Sequence, residues 1–330
     1  MKKIINQPDQ VVDDMLNGLA YAYDTIVSRV PGTTVIVRNL ESDNRVGLIS
    51  GGGSGHEPSH AGFVGKGMLS AAVAGQVFTS PTPDQILEGI KAADEGKGVF
   101  MIVKNYTGDV MNFDMAKELA ELEDIDVDFV VVDDDIAVED STFTAGRRGV
   151  AGTVFMHKIL GAAADAGASL QDIKTLAEKV NNSVYSIGLA LSPATNPEVG
   201  KPGFELEENE IEFGIGIHGE PGYSRETLKP SKELAEEFVR KLKKEIGWTS
   251  GDRFAVLVNG MGATPLMEQF VFMNDLKTLL AGDEKLDLVF KKVGDYMTAI
   301  DMAGVSLTLL KIEDDAWIDH LNSPVEVIGW

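Results

Sequence analysis

Cysteine is absent from all 330 residues, and that absence removes disulfides, thiolate zinc sites, iron–sulfur clusters and thiol nucleophiles together. Oxygen and imidazole chemistry remains. Basic residues are scarce: 29 Lys and Arg stand against 52 Asp and Glu, a formal net charge of −23. A nucleic-acid or anionic-membrane surface needs a basic face to release counterions, so neither partner is expected. Any polyanionic partner would have to be met locally, by individual lysines. Long apolar runs are also missing. No stretch approaches the ~18 residues needed to span a bilayer, and the start, MKKIINQPDQVVDD, places acids where a secretory signal carries its apolar segment. A cytoplasmic protein is expected.

Hydrophobic residues make up 44% and charged residues 25%, ordinary values for a globular chain able to bury a large core. At this length two domains of about 150 residues each are the default. Short β-branched runs alternate with amphipathic or Ala-rich stretches, the pattern of an α/β protein. Strands are expected at Arg45–Ser50, Gly98–Val103, Asp128–Val132, Tyr185–Leu191, Ile211–Ile217, Phe254–Val258, Leu288–Lys292 and Val305–Ile312. Helices are expected at Val11–Ser28, Thr82–Asp94, Asn112–Leu122, Gly152–Ala166, Leu170–Ser183, Ser231–Glu245 and Pro265–Leu280. Residues 192–210, rich in Pro, Gly, Asn and Glu, read as a long loop. A boundary near it divides the chain into 1–184 and 185–330, two α/β domains, each a mixed or mostly parallel sheet flanked by helices.

Three segments concentrate chemistry. The first, GGGSGHEPSH at 51–60, contains His56-Glu57-Pro58-Ser59-His60, which matches the HExxH pattern of zinc hydrolases. Pro58 defeats that reading: it is tolerated only in a first helical turn, so His56 would precede the helix and the two rings could not share a metal. No Gly-Lys-Ser/Thr follows the glycines, and the last glycine of GxGxxG is missing. Instead, glycines directly after a strand let backbone N–H groups approach a small polar ligand, with His56 and Ser59 as added donors. A tight turn with no ligand is the alternative. The second segment, KNYTGD at 104–109, follows an apolar strand, so Lys104 and Asp109 sit at a carboxyl end, where open α/β sheets bind ligands. Lysine can neutralise an oxyanion and aspartate can accept a hydroxyl proton; a solvated turn with an exposed ion pair is the alternative. The third, GIGIHGEPG at 214–222, contains a formal GxGxxG, but Pro221-Gly222 delays the helix that a dinucleotide site requires. Its His218 could be a base, a ligand or a nucleophile toward a carbonyl. His157, in an Ala/Gly/Val-rich helix, and His320, in an acidic C-terminal helix, read as packed or surface histidines.

Together GGGSGHEPSH, VKNYTGD and GIGIHGEPG resemble the K subunits of dihydroxyacetone kinases. The N-terminal NQP, SPTPDQI at 80–86 and TFTAGRRGVAGTVFMHKI extend the likeness over essentially the whole chain. The resemblance implies that a histidine, here His218, attacks the substrate carbonyl and holds it as a hemiaminal. It implies that the Gly53 backbone and the side chains of His56, Lys104 and Asp109 hold the hydroxyls. Asp109 would accept the proton of the attacking hydroxyl, His56 would assist by hydrogen bonding, and Lys104 would orient the ligand. Covalent capture selects a short ketone or aldehyde over glycerol, which has hydroxyls but no carbonyl.

ATP-dependent members of this family carry a fused nucleotide-binding L domain, whereas in the phosphotransferase-system form K is a separate chain. The length here implies the second form. No cofactor or metal is then expected in this chain; ADP and Mg belong to a separate L subunit, rephosphorylated from phosphoenolpyruvate through phosphocarrier proteins. A homodimer in glycerol metabolism is expected. Some relatives instead serve as ligand-sensing coactivators of a transcriptional regulator, and shared binding residues leave that alternative open. The sequence also leaves open which acid, Glu220 or another, orients His218.

Overall fold

Two six-stranded sheets organise the computed structural model, which describes residues 2–40, 44–138 and 144–330. The first contains β1 (Val27–Arg29), β2 (Val35–Arg38), β3 (Gly47–Ser54), β4 (Ala71–Val77), β5 (Val99–Lys104) and β6 (Val127–Val132), in the order β1-β2-β4-β3-β5-β6. Strands β4, β3, β5 and β6 run parallel, and β1 and β2 add an antiparallel margin beside β4. The second contains β7 (Val184–Ala190), β8 (Glu210–Phe213), β9 (Ser224–Thr227), β10 (Arg253–Gly260), β11 (Asp287–Gly294) and β12 (Gly304–Lys311), in the order β11-β10-β12-β7-β8-β9. Only β10 and β11 run parallel there. The expected α/β class, with two helix-flanked sheets, is the class this chain adopts.

Alternation along each strand builds the layers. In β5, Val99, Met101 and Val103 turn outward to a core formed with α2 (Pro83–Ala93) and α3 (Thr107–Glu121), while Phe100 and Ile102 turn inward. In β10, Phe254, Val256 and Val258 face α6 (Ser231–Ile246) and α7 (Leu266–Leu276), while Ala255 and Leu257 turn inward. Both inward faces share one core with α1 (Val11–Ala22), α4 (Thr153–Asp165), α5 (Leu170–Asn181) and α8 (Ala316–Asn322). Helix α4 is buried from Thr153 to Ala164, as a helix that is apolar on nearly every face must be; the one lysine in that stretch, Lys158, reaches Ser323 Oγ and the His320 carbonyl of the C-terminal segment. A capping box, Ser169 with Asp172, starts α5, and Gly247 in the left-handed region ends α6.

Several boundaries differ from the sequence expectation, and three of the differences shape the site. Strand β3 does not stop at Ser50; it runs through Gly51–Gly53 to Ser54, because backbone pairing with Val73, Ala74 and Gly75 of β4 needs no side chains. Helix α3 begins at Thr107 rather than Asn112, which puts Asp109 in its first turn. Strand β8 ends at Phe213, and the chain turns at Gly214 instead of continuing to Ile217. The expected first helix also ends early, at Ala22, and Val27–Arg29 pairs as a strand. Residues 142 and 143 of the 142–159 motif lie outside the described residues.

Candidate functional site

The carboxyl ends of β3 and β5 and the loop after β8 converge on one cavity of about 320 Å³, lined by Gly53, Phe78, Ser80, Tyr106, Thr107, Gly108, Asp109 and His218. A larger groove of about 420 Å³ lies along α6, but its lining is surface Lys, Arg and Glu with Val239 and Leu279. Chemistry rather than volume distinguishes the first. Glycine is required where the strand passes the cavity: a Cβ on Gly53 would lie 2.5 Å from the Thr79 nitrogen, and one on Gly52, at φ +151°, would lie 2.4 Å from Lys104 Nζ.

His218 is fixed on every side. Its ring meets Tyr106, Phe78 and His56 edge-to-face, with centroids 4.6, 5.2 and 4.8 Å away. Its Nδ1 donates to Glu220 Oε1 at 2.8 Å, and its backbone N–H donates to Oε2 of the same carboxylate at 2.9 Å. Burial would raise the Glu220 carboxyl, but the His218 charge, the hydrogen bond from His218 and nearby Arg148 bring it down to about 2. Glu220 is therefore the anion that holds the imidazole with Nδ1–H inward and Nε2 toward the cavity. Arg148, itself paired with Asp135, donates to the carbonyls of Gly214 and Glu220 and ties this loop to the segment between β6 and α4.

His56 comes from the other side. Its Nδ1 donates to the Thr298 carbonyl at 2.7 Å, and its Nε2 lies 3.0 Å from Nε2 of His218. With both Nδ1 atoms committed as donors, two lone pairs this close need one proton between them. Burial, then the charges of His218 and Lys104, hold His56 well below its ordinary value, so the shared proton is held only weakly by His56. Phe78 stacks on the His56 ring at 5.2 Å from a left-handed backbone, φ +56°, a strained conformation of the kind that collects at functional sites.

Lys104 and Asp109 do not form the exposed ion pair that a solvated turn would give. Both are buried, with Nζ 4.0 Å from Asp109 Oδ2, 3.0 Å from His60 Nε2 and 3.4 Å from the Gly51 carbonyl. Burial lowers the Lys104 ammonium, and the Asp109 charge opposes that shift. Asp109 Oδ1 and the Tyr106 hydroxyl are buried without a hydrogen-bond partner. Such atoms cost about 1–3 kcal/mol each unless water or a ligand meets them.

The structure thus brings Gly53, Asp109 and His218 to the cavity wall, with His56 against His218 and Lys104 beside Asp109. It separates His56 from His60. Residues 55–60 form turns rather than a helix, and the two imidazoles point to different partners, His218 and Lys104. Among the described residues no cluster of three or more His, Cys, Asp or Glu could hold a metal ion. No described helix is long and apolar enough to cross a membrane. Sequence reasoning passed over Tyr106, although it lies inside KNYTGD, and could not have found Phe78 or the Thr298 carbonyl, which arrive from separate segments. His157 is packed, as expected, but its Nε2 lies 2.9 Å from Nδ1 of His60.

Fold and cavity define a two-sheet α/β protein with a histidine-walled site for a small polar molecule. The chain belongs to the Dak1 domain family, which matches residues 17–329. It is 62% identical over 329 residues to the PTS-dependent dihydroxyacetone kinase, dihydroxyacetone-binding subunit DhaK, of Lactococcus lactis, covering 100% of this chain and 99% of the relative. It is 44% identical over 330 residues to the DhaKLM operon coactivator DhaQ of the same organism, covering 99% and 100%. Among solved structures, the dihydroxyacetone kinase of C. freundii superposes with a TM-score of 0.91 at 35% identity, over 100% of this chain and 60% of that one.

Proposed function

We propose that this chain is the dihydroxyacetone-binding subunit of a phosphotransferase-system-dependent kinase. It captures dihydroxyacetone covalently on His218 and presents a hydroxyl to a phosphoryl donor carried by a separate ADP-loaded subunit. The observation that carries the reading is one cavity whose lining joins an imidazole, His218, to a buried carboxylate with an unpartnered oxygen, Asp109. Full-length identity to a relative that is itself named a subunit supports the separate donor.

In the capture step the lone pair of His218 Nε2 forms a bond to the C2 carbonyl carbon as the carbon–oxygen π bond breaks. The proton shared by the two Nε2 atoms passes through His56 to the carbonyl oxygen, giving the hemiaminal hydroxyl. The Nδ1–H stays on the substituted ring and is neutralised by Glu220. In the transfer step Asp109 Oδ1 takes the proton of a terminal hydroxyl as that oxygen bonds to phosphorus and the phosphorus–oxygen bond to the donor nucleotide breaks, leaving ADP on the partner subunit. Lys104 offsets negative charge at this end of the cavity. Glycerol lacks the carbonyl and is not captured.

The test is formation of triose phosphate from dihydroxyacetone, comparing ATP alone with a phosphoenolpyruvate-driven, ADP-loaded partner subunit. Product only with the partner supports the proposal. The 44% identity to a coactivator favours one second reading, a dihydroxyacetone sensor for a transcriptional regulator. Tight binding with no product under either condition would select it.

A further inference from the structure

His60 and His157 take no part in the chemistry above, yet both are enclosed and lie in one hydrogen-bonded row with Lys104. Lys104 Nζ is 3.0 Å from His60 Nε2, and His60 Nδ1 is 2.9 Å from His157 Nε2. The protons in this row can be assigned atom by atom. An ammonium has donors only, so the His60 Nε2 it meets is a bare acceptor and the His60 proton sits on Nδ1. Ser50 cannot supply a hydrogen to that nitrogen, because its hydroxyl already donates to the Ile102 carbonyl at 2.6 Å; at 3.3 Å from Nδ1 it can only accept. Nδ1–H therefore donates to Nε2 of His157. His157 carries its own proton on Nδ1, an atom with no hydrogen-bond partner among the described residues. Both rings are neutral for a physical reason: burial and the adjacent Lys104 charge oppose a second proton on either. The reverse row, with every proton moved one atom along, would require an uncharged amine beside Asp109.

We propose that His60, backed by His157, is a positioning residue. The pair presents a fixed lone pair to Lys104 and so aims its ammonium at Asp109 and the Gly51 carbonyl, in the space left by the missing side chain of Gly52. The second histidine of the apparent metal motif thus orients a charge instead of binding an ion. This rests on the reading of Asp109 as the base in the proposed kinase. Aiming Lys104 governs the transfer step, whereas covalent capture occurs at His218, which Lys104 does not contact, so loss of His60 acts on turnover more than on substrate affinity.

Two measurements on the full chain test it. Nitrogen-15 NMR of the side-chain imidazoles, assigned with His60→Gln and His157→Gln, is expected to show both rings neutral with the proton on Nδ1 across roughly pH 6–9. Lys104→Met, which removes the donor, is expected to release His60 from that tautomer. In the coupled phosphorylation assay, His60→Leu is expected to lower kcat by roughly 10–100-fold with KM within about threefold. His60→Gln, whose amide oxygen can still accept from Lys104, should recover most of that loss and serves if the leucine variant fails to fold. An Nε2–H tautomer or an imidazolium at His60, or wild-type kcat in His60→Leu, would overturn the proposal. The NMR measurement does not depend on kinase activity, so an inactive wild-type protein would refute the proposed function while the tautomers still decide the relay.

Discussion

His56 and His218 meet at 3.0 Å at the cavity wall, and His60 and His157 meet at 2.9 Å in the interior. The two contacts are nearly equal in length and join the same residue type, yet their surroundings give them opposite properties. His218 has an anionic partner, Glu220, and a ring that lines the cavity, the surroundings that the proposed capture step requires. The second pair has no carboxylate and faces Lys104, so each ring is confined to one neutral form. A histidine's chemistry is set by what its second nitrogen meets, and here one carboxylate and one ammonium separate the pair proposed to react from the pair proposed to position.

The largest predicted effect is at Asp109. Asp109→Asn keeps the shape of the cavity but removes the proton acceptor, and turnover in the coupled assay should fall by roughly 10²–10⁴-fold. Dihydroxyacetone binding, measured by calorimetry, should change little, because the proposal assigns capture to the His56–His218 pair. Loss of binding equal to the loss of turnover would erase that division of labour. Glu220→Gln should next weaken capture by on the order of 10–100-fold, since the amide no longer fixes Nδ1–H or neutralises the substituted ring. A variant that binds like the wild type would show that the reactive pair does not need its carboxylate.

The smallest effect concerns the sealed pair. Burial, aided by the Lys104 charge, lowers folded His157 to about 3, whereas the unfolded value is about 6.5. Between those values the unfolded chain binds the extra proton, so stability is complete above about pH 6.5 and declines as pH falls toward 3. Each such histidine contributes a slope of roughly 1.4 kcal/mol per pH unit. His157→Gln should reduce the slope measured by urea unfolding at a series of pH values. An unchanged slope would mean that His157 titrates normally in the folded protein.

The sequence carried the α/β class because β-branched runs such as VFMIV and amphipathic runs such as Ser231–Glu245 have distinct periods. It did not carry the short edge strands: Val27–Arg29 and Val35–Arg38 owe their form to pairing with each other and with β4, a tertiary effect that no local period records. The same limit applies at the site. Gly53, His56, Lys104, Asp109 and His218 stood out through their segments, and Glu220 could be read as a neighbour of His218 two residues away. The contacts His56–His218 and His60–His157 span 162 and 97 residues, so nothing local announced them. Pro58 already spoke against the His56–His60 partnership that the HExxH spacing mimics, but nothing local named the partners the fold supplies instead, His218 and Lys104.

Covalent capture at His218 is the central claim, and carbon-13 NMR of dihydroxyacetone labelled at C2 tests it most directly. On binding to the wild-type protein, the labelled carbon should move from the carbonyl region to the tetrahedral region, and His218→Ala should abolish that signal while the chain remains folded. A bound carbonyl resonance with the wild type, or a tetrahedral adduct that survives in His218→Ala, would contradict the account.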